Sequence, residues 1–340
     1  MRFPIASLVL LGCGGQLERG GRSPSEMERC HISGVAAEVR CGTVTVAEDR
    51  TLEGGRTIDL RVVVVPAVRP VPEPDPVFFL AGGPGQAASE VVRTVMPYFQ
   101  RIQQRRDLVF VDQRGTGASN PLDCPPVEEP TLADGFRTDV DISEVVACRD
   151  RIAAHADLTQ YTTDIAMDDL DQVRAELGYE SINLYGASYG SRAALEYARR
   201  HSSHLRSMIL DGLAPQEMVL FLDFGRDAQT ALDAMVTDCA ADAGGCGAAF
   251  PSLARDLDAL WTRSGEADPV SLAHPRTGSM ETLRLEGAAL AGAVRGILYQ
   301  PTLTALLPMA VHEASRGRWA PLIALSSALG GSASEGISIG

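Results

Sequence analysis

The chain has 340 residues, 45% of them hydrophobic, and a formal net charge of -14. That is enough material for a buried core in one large domain or two modest ones, while the acidic balance argues against a nucleic-acid partner or an anionic membrane surface. Every one of the 30 basic residues is an arginine, which removes Schiff-base chemistry, a P-loop lysine and a Ser-Lys dyad.

Residues 1–13 carry one early positive charge, Arg2, and then a short apolar run. This reads as an export signal, because a membrane span needs about 20 apolar residues. The run ends in Leu10-Leu11-Gly12-Cys13, which resembles a bacterial lipoprotein cleavage box; lipidation at Cys13 and plain signal cleavage both stay open. Residues 14–29 read as a flexible linker. The other six cysteines fall into close pairs, Cys30 with Cys41, Cys124 with Cys148 and Cys239 with Cys246. Three local disulfides are expected, and with them an exported protein, periplasmic, lipid-anchored or extracellular. No C-x-x-C or H-E-x-x-H spacing occurs, so neither a metal site nor a cofactor is expected.

Residues 41–47 and 57–66 are rich in β-branched side chains around a Gly54-Gly55 turn and predict an antiparallel hairpin. After a proline-rich connector, residues 77–81 form an apolar run short enough for a buried strand. It leads into Gly82-Gly83-Pro84-Gly85-Gln86, a loop whose backbone amides a ligand can approach. A helix is predicted over 91–105 and a second buried strand over 107–111, followed by the loop 112–119. A charge-rich excursion with several prolines runs to about Thr163. Asp164 is the expected cap of a helix with Met167, Leu170, Val173 and Leu177 on one face, ending at Gly178.

The stretch 182–198 then reads as strand, sharp turn and helix. Its turn, Gly186-Ala187-Ser188-Tyr189-Gly190, is a G-x-S-x-G pattern that would lift the Ser188 hydroxyl clear of a sheet. On its own the pattern is weak, but an apolar run ends just before it and an alanine-rich helical run starts just after. Another strand follows over 205–210. Strands alternating with helices imply a doubly wound, mostly parallel α/β sheet, with the loops 82–86, 112–119 and 186–190 gathered at one edge. From residue 215 the chain turns helical, over 221–243, 250–263, 286–299, 303–315 and 321–329, with a weak strand candidate at 270–273. This predicts a core over 30–214 and a helical cap over 215–340.

Phe79-Leu80-Ala81-Gly82-Gly83-Pro84-Gly85, Asp112-Gln113-Arg114-Gly115-Thr116-Gly117 and Leu184-Tyr185-Gly186-Ala187-Ser188-Tyr189-Gly190-Ser191, in that order, resemble the proline iminopeptidase and tripeptidyl aminopeptidase family of α/β-hydrolases, in its secreted branch. The resemblance implies a serine exopeptidase that releases residues from peptide amino ends. By position, Ser188 resembles the nucleophile. Tyr189 and Gly83 would supply the oxyanion-hole N-H groups, with Gly82 as the alternative to Gly83, and Arg114 would form a structural ion pair. The family places its triad aspartate and histidine after the cap, in the order Ser, Asp, His. None of His31, His155, His201, His204, His274 and His312 fits that position. His201 and His204, at the end of the helix after the turn, are expected to face away from Ser188. The expectation is an α/β-hydrolase lacking its final strands and helices, and inactive as it stands. An α/β-hydrolase-like binding protein that has lost its chemistry, and an esterase or lipase, are the alternatives; peptide or small-molecule substrates are expected, and the oligomeric state is not legible.

Overall fold

The computed structural model describes residues 27–124, 131–137, 141–220, 222–264 and 269–328. The expected signal segment, Cys13 and most of the linker lie outside these residues. In chain order the elements are β1 (Glu28–Cys30), β2 (Val39–Ala47), β3 (Thr57–Val65), β4 (Val77–Leu80), α1 (Ala88–Gln103), β5 (Leu108–Val111), α2 (Ile142–Ala153), α3 (Thr163–Glu176), β6 (Ile182–Ala187), α4 (Tyr189–Arg200), β7 (Leu205–Asp211), α5 (Phe224–Ala241), α6 (Cys246–Ala249), α7 (Leu253–Ser264), β8 (Val270–Ala273), β9 (Met280–Leu283), α8 (Gly287–Leu298), α9 (Pro301–Thr304), α10 (Leu307–Ser315) and α11 (Ala320–Ser327).

The strands β1 to β7 make one sheet in the order β1-β2-β3-β5-β4-β6-β7. The strands β5, β4, β6 and β7 run parallel, and β3 joins them antiparallel as the inner arm of the hairpin. Side chains alternate across the sheet with a period of two. Leu60, Phe78, Val109 and Leu184 face a cluster shared with Met167, Leu170 and Val173 of α3 and Ala193 and Tyr197 of α4. Their neighbours Val63, Phe79 and Phe110 face Val92, Met96 and Phe99 of α1 on the opposite side. Helices therefore cover both faces, as the alternation of strands and helices predicted. At the last strand this cover thins: Met208 and Ile209 of β7 are exposed.

Three details differ from the sequence reading, each for a local reason. The helix α1 starts at Ala88, three residues early, because the Asp112 carboxylate takes the Ser89 N-H at 2.7 Å and its hydroxyl at 2.8 Å. A negative group there satisfies an orphan donor at the positive end of the helix. At α3 the Ncap position is Thr162, and Asp164 lies in the first turn. The predicted helix 303–315 is two helices, since Pro308 lacks an N-H and fits only the first turn of α10.

The excursion contains α2, whose N-terminus is capped by the Asp141 side chain on the Ser143 N-H and whose body is tied back by Cys124–Cys148. Cys30–Cys41 staples β1 to β2, and Cys239–Cys246 links α5 to α6. The helices from α5 onward, with the β8–β9 hairpin, bury their own apolar cluster around Leu260, Leu290, Leu307 and Leu322, joined by Leu132 and Phe136 from the excursion. No helix among the described residues is long and apolar enough to cross a membrane.

A buried guanidinium ties these layers together. Arg114, on the loop after β5, pairs with both oxygens of Asp169 on α3 at 2.6 and 2.8 Å. It also donates to the carbonyls of Ala47, Glu48 and Gln160, so the end of the hairpin, the excursion and α3 share one cation. The ion pair foreseen for Arg114 is thus present. Asp169→Ala leaves that cation buried and unpaired, and should lower the unfolding free energy by about 3–5 kcal/mol, read as a shifted urea midpoint.

A neighbouring carboxylate gives the fold an acid-sensitive element. Burial raises the pKa of Asp171, but hydrogen bonds from Arg174, Tyr197 and His204 outweigh it and hold the carboxyl at about 2, below its ordinary 3.8. Because the folded value is the depressed one, its stabilising contribution is complete above about pH 4 and is lost as the pH falls toward 2. The melting-temperature gap between the wild type and Asp171→Asn should therefore be widest near neutrality and close across that interval.

Candidate active site

The parallel strands deliver their carboxyl ends to one edge, where Leu80 pairs with Gly186 and Ala187 with Asp211. Ser188 sits between β6 and α4 with φ 54° and ψ -121°. This is a strained conformation for a residue with a side chain, and the surroundings must impose it. Two close approaches do so. A Cβ on Gly186 would overlap the carbonyl of Gly190, and a Cβ on Gly190 would overlap the carbonyl of Leu80. The helix is thereby pressed onto β4 and β6 more closely than any other residue permits, and the chain has to turn at Ser188.

Hydrogen bonds lock the bend from below. The Ser188 N-H donates to the Asp211 carbonyl at 2.7 Å, so that amide is already engaged. The Ser188 carbonyl accepts from the Ser191 N-H at 2.9 Å and from the Ser191 hydroxyl at 2.6 Å. The same hydroxyl accepts from the Ala214 N-H at 2.8 Å, which holds the loop after β7 against the turn. Tyr189 is the first residue of α4, so its amide has no carbonyl one turn earlier to bond. Its phenol is half-buried and paired with the Thr163 hydroxyl at 2.5 Å, and the loss of solvent raises its pKa.

Opposite the turn lies the double-glycine loop. A Cβ built on Gly82 would stand 3.2 Å from the Ser188 Cβ and 3.6 Å from its Oγ. The hydroxyl and the backbone of this loop are therefore within a side chain's reach of one another. Beside them opens a cavity of about 650 Å³ bounded by Pro84, Gly85, Gln113, Tyr189, Arg192 and Glu217, among others. Arg192 donates to the carbonyls of Pro215 and Met218 at 2.9 and 3.0 Å, fixing the wall made by the segment after β7. On the other side, Tyr185 donates to the Asp211 carboxylate at 2.5 Å, and this bond, with burial, pushes the phenol up to about 12.

Four of the six histidines are engaged elsewhere. His201 and His204 bond Asp168 and Asp171 at the far end of α4, His312 bonds Asp256 between α10 and α7, and His274 accepts two amides of its own turn. His31 and His155 are exposed. Among the described residues no histidine is hydrogen-bonded to the Ser188 hydroxyl. Sequence reasoning missed the part of Asp211 and Ser191, whose bonds set the turn; neither falls in an apolar pattern that would have singled it out.

The comparisons agree with this geometry. The family model described as alpha/beta hydrolase fold matches residues 75–262, from just before β4 into α7. Serine protease Hip1 of Mycobacterium tuberculosis is 27% identical over 94% of this chain and 66% of its own length. The tripeptidyl aminopeptidase of Streptomyces coelicolor is 26% identical over 57% of this chain and 39% of its own. A probable proline iminopeptidase of the same organism is 30% identical over 42% and 34%. The chain thus spans just under two thirds of the length of the relative it matches most extensively here. With the elbow, the sheet order and the matched span in agreement, the chain belongs to the α/β-hydrolase fold family.

Proposed function

We propose that the protein is of the serine exopeptidase type, acting on peptides with a free amino end through an acyl-enzyme on Ser188. One observation carries the proposal: a strained serine at the head of a helix, its hydroxyl beside the backbone of a glycine-rich loop. Ser188 Oγ attacks the scissile carbonyl, the Tyr189 and Gly83 amides receive the oxyanion, the amine leaves, and water releases the acyl group. The engagement of the Ser188 amide by Asp211 supports Tyr189 as the donor from the turn. The relatives named serine protease and tripeptidyl aminopeptidase support a peptide substrate. The three disulfides support an exported location, and the helical part from residue 215 is assigned as the cap over the substrate.

A serine needs a base, and among the described residues no histidine is hydrogen-bonded to Ser188: four bond partners elsewhere, and His31 and His155 are exposed. The proposal accordingly takes the triad aspartate and histidine from sequence outside these 340 residues. Loss of a triad member lowers turnover by about 10⁴ to 10⁶, so the 340-residue chain should cleave amino-acyl anilides slower by that factor than a form carrying the base. Activity on N-blocked anilides or short-chain esters in preference to free-amine ones would replace the exopeptidase reading with an esterase.

The acyl-transfer geometry itself is testable without the base. A fluorophosphonate probe should label the wild type, slowly, at Ser188 and fail on Ser188→Ala; a folded wild type that is never labelled would favour a binding role. Gly190→Ala should abolish labelling and destabilise by about 1–3 kcal/mol, since the added methyl must displace the β4 carbonyl that it meets.

A further inference from the structure

At the opposite end of α4 from Ser188, two short spacings meet. Asp168 and Asp171 lie one turn apart on α3, and His201 and His204 flank the short turn that leads from α4 into β7. The donor atoms of Asp171, His201 and His204 lie within 4.8 Å of one another. The His204 Nδ1 is 2.8 Å from Asp171 Oδ1, and the His201 Nδ1 is 3.8 Å from Asp171 Oδ2. Meanwhile the other ring nitrogen of His201, Nε2, bonds Asp168 at 2.9 Å. Metal-binding histidines characteristically give their second N-H to a carboxylate, which fixes the tautomer and turns the free lone pair on the opposite nitrogen toward the ion.

We propose that Asp171, His201 and His204 form a binding site for one divalent transition-metal ion of the zinc class, with Asp168 as the positioning residue behind His201. Two imidazoles and one carboxylate suit zinc over calcium or magnesium, which prefer oxygen donors, and three protein ligands leave a fourth position for water. His204 is the most exposed of the three, with 36% of its side chain accessible, so the ion can enter from solvent. Two cations stand beside the site, Arg174 on Asp171 and Arg200 on Asp168. Arg174 and Tyr197 already bond Asp171, so the ion replaces the His204–Asp171 hydrogen bond and draws its affinity from the histidines rather than from net charge.

A 12-residue helix is about 18 Å long, so the ion would sit well away from the Ser188 hydroxyl. It would join α3 to the tail of α4 and act on stability. The contiguous motifs whose absence argued against metal do not describe this set, because its donors come from two elements 30 residues apart in sequence.

The test is calorimetric titration of the chelator-stripped full chain with zinc chloride, with cobalt as an absorbing substitute. The expected result is one equivalent bound, a tetrahedral cobalt spectrum, and a melting temperature raised by zinc in the wild type. His204→Ala should lose all three, and Asp168→Asn should bind about 10–100-fold more weakly. Circular dichroism of each metal-free variant confirms that it is folded. Absence of stoichiometric binding, or unchanged binding in His204→Ala, would overturn the site; unchanged affinity in Asp168→Asn would overturn the role of Asp168.

Discussion

The approach of α4 to the sheet is the constraint on which the rest depends. Wherever a helix follows a strand, side chains at the junction normally hold the two apart. Here Gly186 and Gly190 remove that separation, and the backbone of Ser188 absorbs the difference as a positive φ. Strain of this kind, of order 1–3 kcal/mol, persists only if the surroundings over-determine it. The apolar layers on both sheet faces, the Asp211 and Ser191 hydrogen bonds and the seat of Tyr189 on Thr163 all contribute to that. The hydroxyl is exposed because everything beneath it is close-packed.

Under the proposed acyl-enzyme reading, the arrangement separates positioning from reactivity. Seating the serine and placing amides around it is the work of residues 75–214, whereas activating the hydroxyl requires a base that the described residues do not bring to it. On that reading, seating the hydroxyl and activating it are tasks for different parts of the chain.

Much of this was legible in the sequence because the signals were steric. The buried strands β4, β5 and β6 stand out as short apolar runs, and the glycines of the turn occur where backbone must meet backbone. The disulfide partners are near neighbours in sequence. What was not legible depends on contacts made at a distance. The helix α2 shows no apolar stripe, since only Ile152 is buried along it, and it is held by a cap and a disulfide. The early start of α1 depends on Asp112, reached only after the chain has returned through β5. His201 and His204 were read as bystanders of the turn. The signal that could have drawn attention to them was the matched spacing of two aspartates and two histidines, which means nothing until α3 and α4 are known to lie side by side. The break before Pro308 was missed as well, although the proline, which fits only the first turn of a helix, was a signal for it.

The guanidinium at the centre of the fold has one more consequence. A lysine in that place would supply a point charge with three mobile donors; a planar guanidinium reaches three carbonyls and a carboxylate at once in one fixed geometry. Arg114→Lys would keep the charge and still leave some of those carbonyls without a donor, so the shape of the side chain, and not its charge alone, joins the layers.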